Sequence, residues 1–290
     1  MGRLMPPRLI GIDLDGTLLD GRGGVSPANR RAIARAFEAG VMVVPCTGRG
    51  WREASAVLVD VERLGWGVYV TGAMVAEIAS GRSVDFATFE PNLAREVVQF
   101  LAGEPEAVLV YREHNEAGHD YLVTGQGELT ANTRWWFEIT GAMVHFQSDY
   151  SGSALHNALR IGLVSSGNRV PGLRESLRQA FGERVLVQSF KAIHDDDADK
   201  SVHVLEVFPA GVNKWRGLGW IARQYGIDPA QVAAIGDEIN DLAMLREAGC
   251  GIAMANAAAA AKHEARYVTE ANTDDGVARA IDRLLTGQWV

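Results

Sequence analysis

The spacing of apolar residues in the first part of this chain alternates between a strand period and a helix period. The short apolar run 9–12 predicts a buried strand. Ser26 and Pro27 then supply an N-cap and a proline at the first helical position, and an apolar stripe continues to Gly40. The segment between them therefore predicts an amphipathic helix, and the apolar run 41–44 predicts the next strand.

The same alternation continues and then returns near the end of the chain. A helix is predicted over 53–64 and a third strand over 67–70. After residue 207 we expect two more strands, over 232–235 and 251–254, and three more helices, over 214–225, 241–248 and 275–285. Strands that alternate with helices favour parallel pairing with helices on both faces. The predicted class is α/β, with a Rossmann-like doubly wound parallel sheet.

Between about residues 81 and 205 the predicted strands often follow one another without a helix between them. Strands are expected over 84–89, 107–111, 121–124, 143–146, 158–163 and 185–190, and helices over 91–102, 128–140 and 171–181. This order favours an antiparallel sheet with helices on one side. The sequence thus predicts a discontinuous core, 1–80 and 206–290, interrupted by an inserted α+β domain, 81–205.

Composition and charge narrow the classes of function. A length of 290 residues favours about two domains, and a net charge of −8 disfavours nucleic-acid or anionic-membrane partners. Cys46 and Cys250 lie in apolar stretches without a CxxC spacing, so we expect reduced core residues and no zinc site. No apolar run approaches the ~20 residues of a membrane span, and residues 1–8 lack a signal-peptide pattern. We expect a cytoplasmic protein.

Acidic residues follow two of the predicted strands. Asp13 and Asp15 come directly after the strand 9–12, and an acidic cluster that begins at Asp237 follows the strand 232–235. The carboxyl ends of parallel strands form the crevice where ligands bind in such sheets. The two clusters together indicate a bound cation, and Mg²⁺ suits a site of few carboxylates and other oxygen ligands.

These clusters belong to a set of four motifs in a fixed order. The motifs are Asp13-Leu14-Asp15-Gly16-Thr17, Thr47-Gly48-Arg49, Lys214, and Gly236-Asp237 with Asn240-Asp241. In this order they resemble the haloacid dehalogenase superfamily of phosphohydrolases. Thr71-Gly72-Ala73 and the segments 252–257 and 272–277 resemble its Cof-type sugar-phosphatase-like branch, although Thr71 stands where that branch often has asparagine. The family places a substrate-selecting cap domain where this chain has its insertion.

The resemblance implies roles for the acidic residues. Asp13 is expected to attack phosphorus and form an aspartyl-phosphate, while Asp15 protonates the leaving oxygen and later deprotonates water. Mg²⁺ would be held by the carboxylates of Asp13 and Asp237 and by the backbone carbonyl of Asp15.

The resemblance also implies a set of residues around the phosphoryl group. Thr47, Gly48, Lys214 and Asn240 are expected to bind it. Asp241 is expected to support the site by orienting Lys214 or a metal-bound water. Arg49 is left outside the catalytic set.

Taken together, the motifs predict a Mg²⁺-dependent phosphatase that hydrolyses a small phosphorylated metabolite, for which we expect a sugar phosphate. The chain is expected to be a monomer or a homodimer. Two alternatives stay open, a mutase that moves a phosphoryl group within one sugar, and a non-catalytic metabolite-binding regulator on the same fold.

Several further charged or titratable residues are interpreted as surface groups. His194 and the acidic run 195–199 are interpreted as a solvated loop rather than a second metal site. His114 and His119 are interpreted as surface loop residues, with contact to substrate as the alternative.

Overall fold

The computed structural model divides into two compact units. The first is Met1–Asp85 with Asn213–Val290, and the second is Phe86–Val212. The residues that the structure describes are 6–150, 153–166, 169–193 and 202–289. His194 and the acidic run 195–199 lie outside the described residues.

The described residues contain fourteen strands and ten α-helices. The strands are β1 (Leu9–Ile12), β2 (Met42–Pro45), β3 (Trp66–Tyr69), β4 (Met74–Glu77), β5 (Ser83–Phe86), β6 (Val108–Arg112), β7 (Tyr121–Thr124), β8 (Val144–Phe146), β9 (Ala158–Ser166), β10 (Val185–Ile193), β11 (Val202–Pro209), β12 (Val232–Gly236), β13 (Cys250–Ala253) and β14 (Tyr267–Val268). The helices are α1 (Pro27–Glu38), α2 (Trp51–Leu58), α3 (Pro91–Leu101), α4 (His114–Ala117), α5 (Ala131–Thr140), α6 (Arg169–Phe181), α7 (Lys214–Gln224), α8 (Leu242–Glu247), α9 (Ala259–Glu264) and α10 (Gly276–Leu285). None of the described helices has the length and apolar character needed to cross a membrane.

The first unit is built on a parallel five-stranded sheet in the order β14-β13-β12-β1-β2. The central strands β1 and β12 are fully buried, and Leu9 of β1 lies opposite Val232 on one side and Met42 on the other. Ser26 caps α1 by accepting a hydrogen bond from the backbone nitrogen of Asn29 at 3.1 Å. The structure confirms the predicted α/β class and the parallel central sheet.

The predicted third strand is present as β3, and a parallel bridge joins its Val68 to Cys46, just beyond β2. The sequence analysis did not predict that β3 also pairs antiparallel with β4, in a three-stranded sheet with β5. The physical cause is the turn after β3, where Val70, Thr71 and Gly72 have φ values of 52°, 58° and 94°. Left-handed backbone at three consecutive residues reverses the chain, so β4 returns beside β3.

The second unit contains a six-stranded sheet in the order β10-β11-β9-β6-β7-β8. All of its neighbouring strands are antiparallel except β7 and β8, which are parallel. Apolar residues of α3 and α6, among them Val97 and Leu177, pack with Val110 and Ile161 of the strands in one buried core. The predicted helices over 91–102 and 171–181 therefore lie against the sheet.

The boundaries of the two units lie a few residues beyond the predicted ones. β11 pairs with both β9 and β10, so residues 206–212 belong to the second unit. β5, which the sequence analysis assigned to the insertion, is a strand of the β3-β4-β5 sheet. The interpretation of the second unit as a cap stays a prediction.

Candidate active site

Asp13 is the residue that leaves β1 at the carboxyl edge of the parallel sheet. Its backbone nitrogen donates to the carbonyl of Ile235 at the end of β12, at 3.0 Å. The chain then makes a tight turn in which Leu18 donates to the carbonyl of Asp13 at 3.1 Å and Gly16 has a φ of 76°. The Asp13 side chain is only 6% exposed. The turn therefore fixes a buried carboxylate where the two central strands end.

Asp237 follows β12 and contacts the same turn. Its Oδ1 accepts a hydrogen bond from the hydroxyl of Thr17 at 2.8 Å. A Cβ atom placed on Gly16 would lie 2.2 Å from Oδ2 of Asp237, so only glycine allows this approach. The sequence analysis did not assign a role to Thr17. Its place in the first motif is explained by this contact.

Asp241, at the end of a short 3₁₀ turn, completes a cluster of carboxylates. Oxygen atoms of Asp13, Asp237 and Asp241 lie within 4.8 Å of one another. The buried ammonium of Lys214 donates to Oδ1 of Asp13 and to Oδ1 of Asp241, each at 2.5 Å. The other oxygen of Asp241 accepts from the backbone nitrogens of Asp237 and Glu238 at 2.9 and 3.0 Å. Asp241 thus contacts both Lys214 and the start of the acidic segment.

The cluster carries more negative than positive charge, because it contains three carboxylates and one ammonium. Burial raises the pKa of Asp13, and the neighbouring charge of Asp241 raises it further. Burial also raises the pKa of Asp237. For Lys214 burial alone would lower the pKa, but Asp13 and Asp241 raise it, so the ammonium stays charged.

Asp15 points away from this cluster and forms an ion pair with Arg49. Nε of Arg49 lies 2.8 Å from one carboxylate oxygen, and Nη2 lies 2.5 Å from the other. Burial acts to lower the pKa of Arg49, but the hydrogen bonds and charge of Asp15 raise it. The side chain of Asp15 remains 58% exposed. The sequence analysis left Arg49 out of the site, although its place after β2, beside the end of β1, was a signal for this contact.

Thr47 and Gly48 lie on the loop after β2, beside the reversed turn that contains Thr71. Thr47 is fully buried, and its hydroxyl accepts from the backbone nitrogen of Arg49 at 3.1 Å, which leaves its own hydrogen to donate elsewhere. The backbone nitrogen of Thr71 donates to the carbonyl of Thr47 at 3.0 Å. A Cβ on Gly48 would lie 3.5 Å from Oγ1 of Thr71 and 3.9 Å from Nδ2 of Asn240.

Two polar atoms in this region are buried without a hydrogen-bond partner among the described residues. They are the hydroxyl of Thr71 and Oδ1 of Asn240. Buried polar atoms are almost always satisfied in native proteins, so an unsatisfied pair beside Gly48 indicates a place where a polar ligand is received. The sequence analysis included Asn240 and Gly48 in this site but not Thr71.

Two asparagines hold the turn that follows Asp13. Nδ2 of Asn256 donates to the carbonyl of Gly16 at 2.8 Å, and its Oδ1 accepts from the backbone nitrogen of Asn272 at 3.0 Å. Nδ2 of Asn272 in turn donates to the carbonyl of Leu19 at 2.9 Å. The segments 252–257 and 272–277 therefore brace the turn that carries the two N-terminal carboxylates.

Comparison with known proteins decides the family. The family model described as haloacid dehalogenase-like hydrolase matches residues 10–281 of this chain. The chain belongs to this family. The site built above thus occupies the carboxyl edge of the parallel sheet of a haloacid dehalogenase-like hydrolase.

Curated relatives and solved structures are similar to this chain over nearly its whole length. The 5-amino-6-(5-phospho-D-ribitylamino)uracil phosphatase YwtE of Bacillus subtilis (strain 168) is 30% identical over 303 residues, covering 97% of this chain and 99% of that protein. A haloacid dehalogenase-like hydrolase from Bacteroides thetaiotaomicron has a TM-score of 0.76 at 22% identity, covering 96% of this chain and 99% of that one. A subclass IIB sugar phosphatase of the superfamily has a TM-score of 0.76 at 17% identity, covering 95% and 98%.

These comparisons confirm the predicted family, its Cof-type branch and the predicted class of enzyme, a phosphoric monoester hydrolase. The roles predicted for individual residues stay predictions.

The carboxylate cluster of this haloacid dehalogenase-like hydrolase fits a hard divalent cation. Three carboxylates and one ammonium leave an excess of negative charge, which a divalent cation would neutralise. Asp241 already uses both oxygens on Lys214 and backbone nitrogens, so Asp13 and Asp237 are better placed to serve as ligands. The carboxylate of Asp15 is not part of the cluster, and its predicted role as a ligand through the backbone carbonyl stays a prediction.

The brace from Asn256 gives a first testable expectation for this hydrolase. Asn256→Ala removes the donor to the carbonyl of Gly16, so the turn that follows Asp13 loses one of its restraints. We expect kcat to fall by about tenfold, with KM little changed, since small misplacements of reacting groups are costly. Steady-state kinetics would measure this, with Asn92→Ala, at an exposed asparagine of α3, as the matched control. A rise in KM alone would contradict a positioning role.

Proposed function

We propose that this protein is a Mg²⁺-dependent phosphatase that releases phosphate from a small phosphorylated sugar or sugar alcohol through an aspartyl-phosphate on Asp13. The observation that carries the proposal is the convergence of Asp13, Asp237 and Lys214 at one edge of the sheet. A buried carboxylate with a bound ammonium beside it is suited to meet a phosphate dianion. The phosphatase names of relatives that match over nearly the whole chain support the same reaction.

In the first step Asp13 acts as the nucleophile. One oxygen of Asp13 accepts from Lys214, which fixes the carboxylate, and an oxygen of this carboxylate attacks phosphorus as the ester oxygen departs. The ammonium of Lys214 and the hydroxyl of Thr47 hold the phosphoryl oxygens, with the backbone of Gly48 beside them. Mg²⁺ held by Asp13 and Asp237 would neutralise negative charge on the phosphoryl group.

Asp15 carries the proton in both steps. It donates a proton to the departing ester oxygen, which leaves as an alcohol, and then accepts a proton from the water that attacks the aspartyl-phosphate. The second attack breaks the bond between phosphorus and the Asp13 oxygen and releases inorganic phosphate. Arg49 holds both oxygens of Asp15 and so positions its carboxylate between these transfers.

The proposed substrate class rests on the relatives. YwtE is named for a substrate with a phosphorylated ribityl chain, and a solved structure with the same fold is named a sugar phosphatase. We therefore propose a phosphate ester on a polyhydroxylated carbon chain. The unsatisfied polar atoms of Thr71 and Asn240 would suit such a hydroxyl-rich ligand.

The proposal is tested by measuring phosphate release from a panel of phosphomonoesters. The panel contains hexose and pentose phosphates, 5-amino-6-(5-phospho-D-ribitylamino)uracil and an aryl phosphate, each with Mg²⁺ and with EDTA. We expect release only with the metal, and fastest with a sugar or sugar-alcohol phosphate. An isomeric sugar phosphate in place of free phosphate would favour the mutase, and binding without turnover would favour the regulator.

Asp15→Asn provides a sharper test of the proton donor. Removing a general acid typically costs about 10² to 10⁴ in rate, and the cost shrinks when the leaving oxygen needs no proton. We expect kcat to fall by about 10³-fold for a sugar phosphate but much less for an aryl phosphate with an acidic phenol. Stopped assays of both substrates would show this, with the exposed Asp274→Asn as control. An equal loss for both substrates would contradict the role of Asp15 as acid.

Partners and location remain proposals of the same kind. We propose a small-molecule phosphomonoester as the partner and a cytoplasmic location, on the net charge of −8 and the substrate class.

A further inference from the structure

The second unit contains a polar cavity of its own, about 280 Å³ in volume. It is lined by Arg112, His119, His145, Gln147 and Ser153, among others. Arg112 ends β6, His145 lies on β8, and His119 precedes β7, so the cavity opens at one end of the sheet. Every lining residue belongs to the second unit. The cavity is therefore distinct from the carboxylate cluster of the first unit.

The basic side chains around this cavity are brought together by direct contacts. Nε of Arg112 donates to the backbone carbonyl of His156 at 2.9 Å, which orients the guanidinium. Nη1 of Arg112 lies 3.5 Å from Nε2 of His119, and the rings of His119 and His145 have centroids 5.2 Å apart. One guanidinium and two imidazoles thus face a common space.

The guanidinium of Arg112 is not neutralised by an acidic partner. Arg112 forms no ion pair with any described residue, although Arg160 and Arg169 of the same unit each pair with a glutamate. Burial lowers the pKa of Arg112. Burial, then Arg112 and His145, lower the pKa of His119 more than the hydrogen bond with the Ala117 backbone and the charge of Asp120 raise it. An anion that enters the cavity would therefore neutralise a partly buried guanidinium that no described carboxylate pairs with.

We propose that this cavity binds a small oxyanion, such as the phosphate or carboxylate group of a metabolite. Arg112 presents a guanidinium fork that matches two oxygens of such a group, and His119 and His145 add imidazole donors. Gln147 and Ser153 line the same cavity with neutral polar groups. The oxyanion is either a second charged group of the substrate or a separate ligand, and the two sources have the same recognition chemistry.

The binding test uses the histidine ring signals of the full-length protein in NMR. Inorganic phosphate is titrated into metal-free protein at constant ionic strength and pH, with chloride as the comparison anion, and signals are assigned with His→Gln variants. We expect saturable shifts of the His119 and His145 signals with phosphate but not with chloride. Because none of the proposed active-site residues is a histidine, these signals report the cavity of the second unit.

Variants decide whether the cavity is responsible. Arg112→Gln should weaken the phosphate response at least about tenfold, the expected cost of losing a charge-assisted bidentate contact. Arg184→Gln, at an exposed arginine of the same unit, should leave the response unchanged. Should Arg112→Gln fail to fold, the exposed His145→Gln takes its place, with the His119 signal as readout, and it too should weaken the response.

Kinetics then identify the source of the oxyanion. A KM that rises in Arg112→Gln for a phosphosugar acid or sugar bisphosphate, but not for an aryl phosphate, assigns the oxyanion to the substrate. An unchanged KM together with a lost phosphate response assigns it to a separate ligand, and either result supports the site. Absence of a saturable shift, an equal shift with chloride, or an undiminished shift in both variants would overturn it. The NMR readout needs no turnover, so it stands even where the proposed phosphatase reaction fails.

Discussion

Asp13→Asn is expected to lower kcat for phosphomonoester hydrolysis by at least about 10³-fold, because an amide cannot serve as the nucleophile. Asparagine has the same shape and can still accept the hydrogen bond that Lys214 donates to Oδ1. The fold should therefore be retained. Phosphate release at saturating substrate measures the effect, with the exposed Asp274→Asn as the control.

The same substitution should change how stability depends on pH in the metal-free protein. Burial raises the pKa of Asp13 above its value in the unfolded chain, so the folded state binds this proton more tightly. The resulting gain in folding stability is fully present at pH values below the unfolded pKa. That stability is lost as the pH rises through the folded pKa. Urea unfolding with EDTA should show a smaller loss with rising pH in Asp13→Asn than in the wild type. Retained activity, or an unchanged pH profile of stability, would contradict our account of Asp13.

Lys214→Met is expected to remove activity and to destabilise the protein at neutral pH. The ammonium is fully buried between Asp13 and Asp241, and breaking a buried ion pair by removing one partner typically costs about 3 to 5 kcal/mol. Without Lys214 the phosphate dianion also loses its positive contact. Urea unfolding and phosphate release would measure the two effects.

A matched control separates this loss from a general effect of removing a lysine. Lys262→Met alters an exposed residue of α9 and should leave both stability and activity unchanged. The result that would contradict us is a Lys214→Met protein with wild-type kcat. Lower stability with full activity would make the lysine purely structural.

The placement of the main carboxylates could be predicted because it follows from strand ends. Asp13 comes after β1 and Asp237 after β12, and these strands are neighbours in a parallel sheet. Their carboxyl ends meet at one edge of the sheet. The apolar runs of the two strands were therefore enough to predict that residues 224 positions apart in the sequence lie close together. The helix that begins at Lys214 was also predicted, from the return of alternating strands and helices after residue 207.

Contacts made by side chains across long sequence separations could not be predicted. Arg49 pairs with Asp15 across 34 positions, and Asn256 donates to Gly16 across 240. The position of Arg49 after a strand end indicated its neighbourhood but not its partner, and no periodic pattern indicated the contact of Asn256. Each pair depends on the final packing of separate elements. The brace by Asn256 was visible only as part of a family resemblance.

The reversed turn after β3 was missed for a different reason. Val70 and Thr71 are β-branched, and such residues rarely adopt a positive φ, so propensity argued against the turn that the structure contains. Tertiary contacts hold it, among them the hydrogen bond from Thr71 to the carbonyl of Thr47. Strained backbone residues cluster at functional sites, and this turn places Thr71 beside Gly48.

The covalent step on Asp13 can be tested directly by trapping. The enzyme is mixed with Mg²⁺ and a radiolabelled phosphomonoester, quenched in acid during turnover, digested and mapped by mass spectrometry. Our account predicts label on the peptide that contains Asp13, and no label in Asp13→Asn. Steady turnover with no trapped phosphate, or label on a different residue, would contradict it.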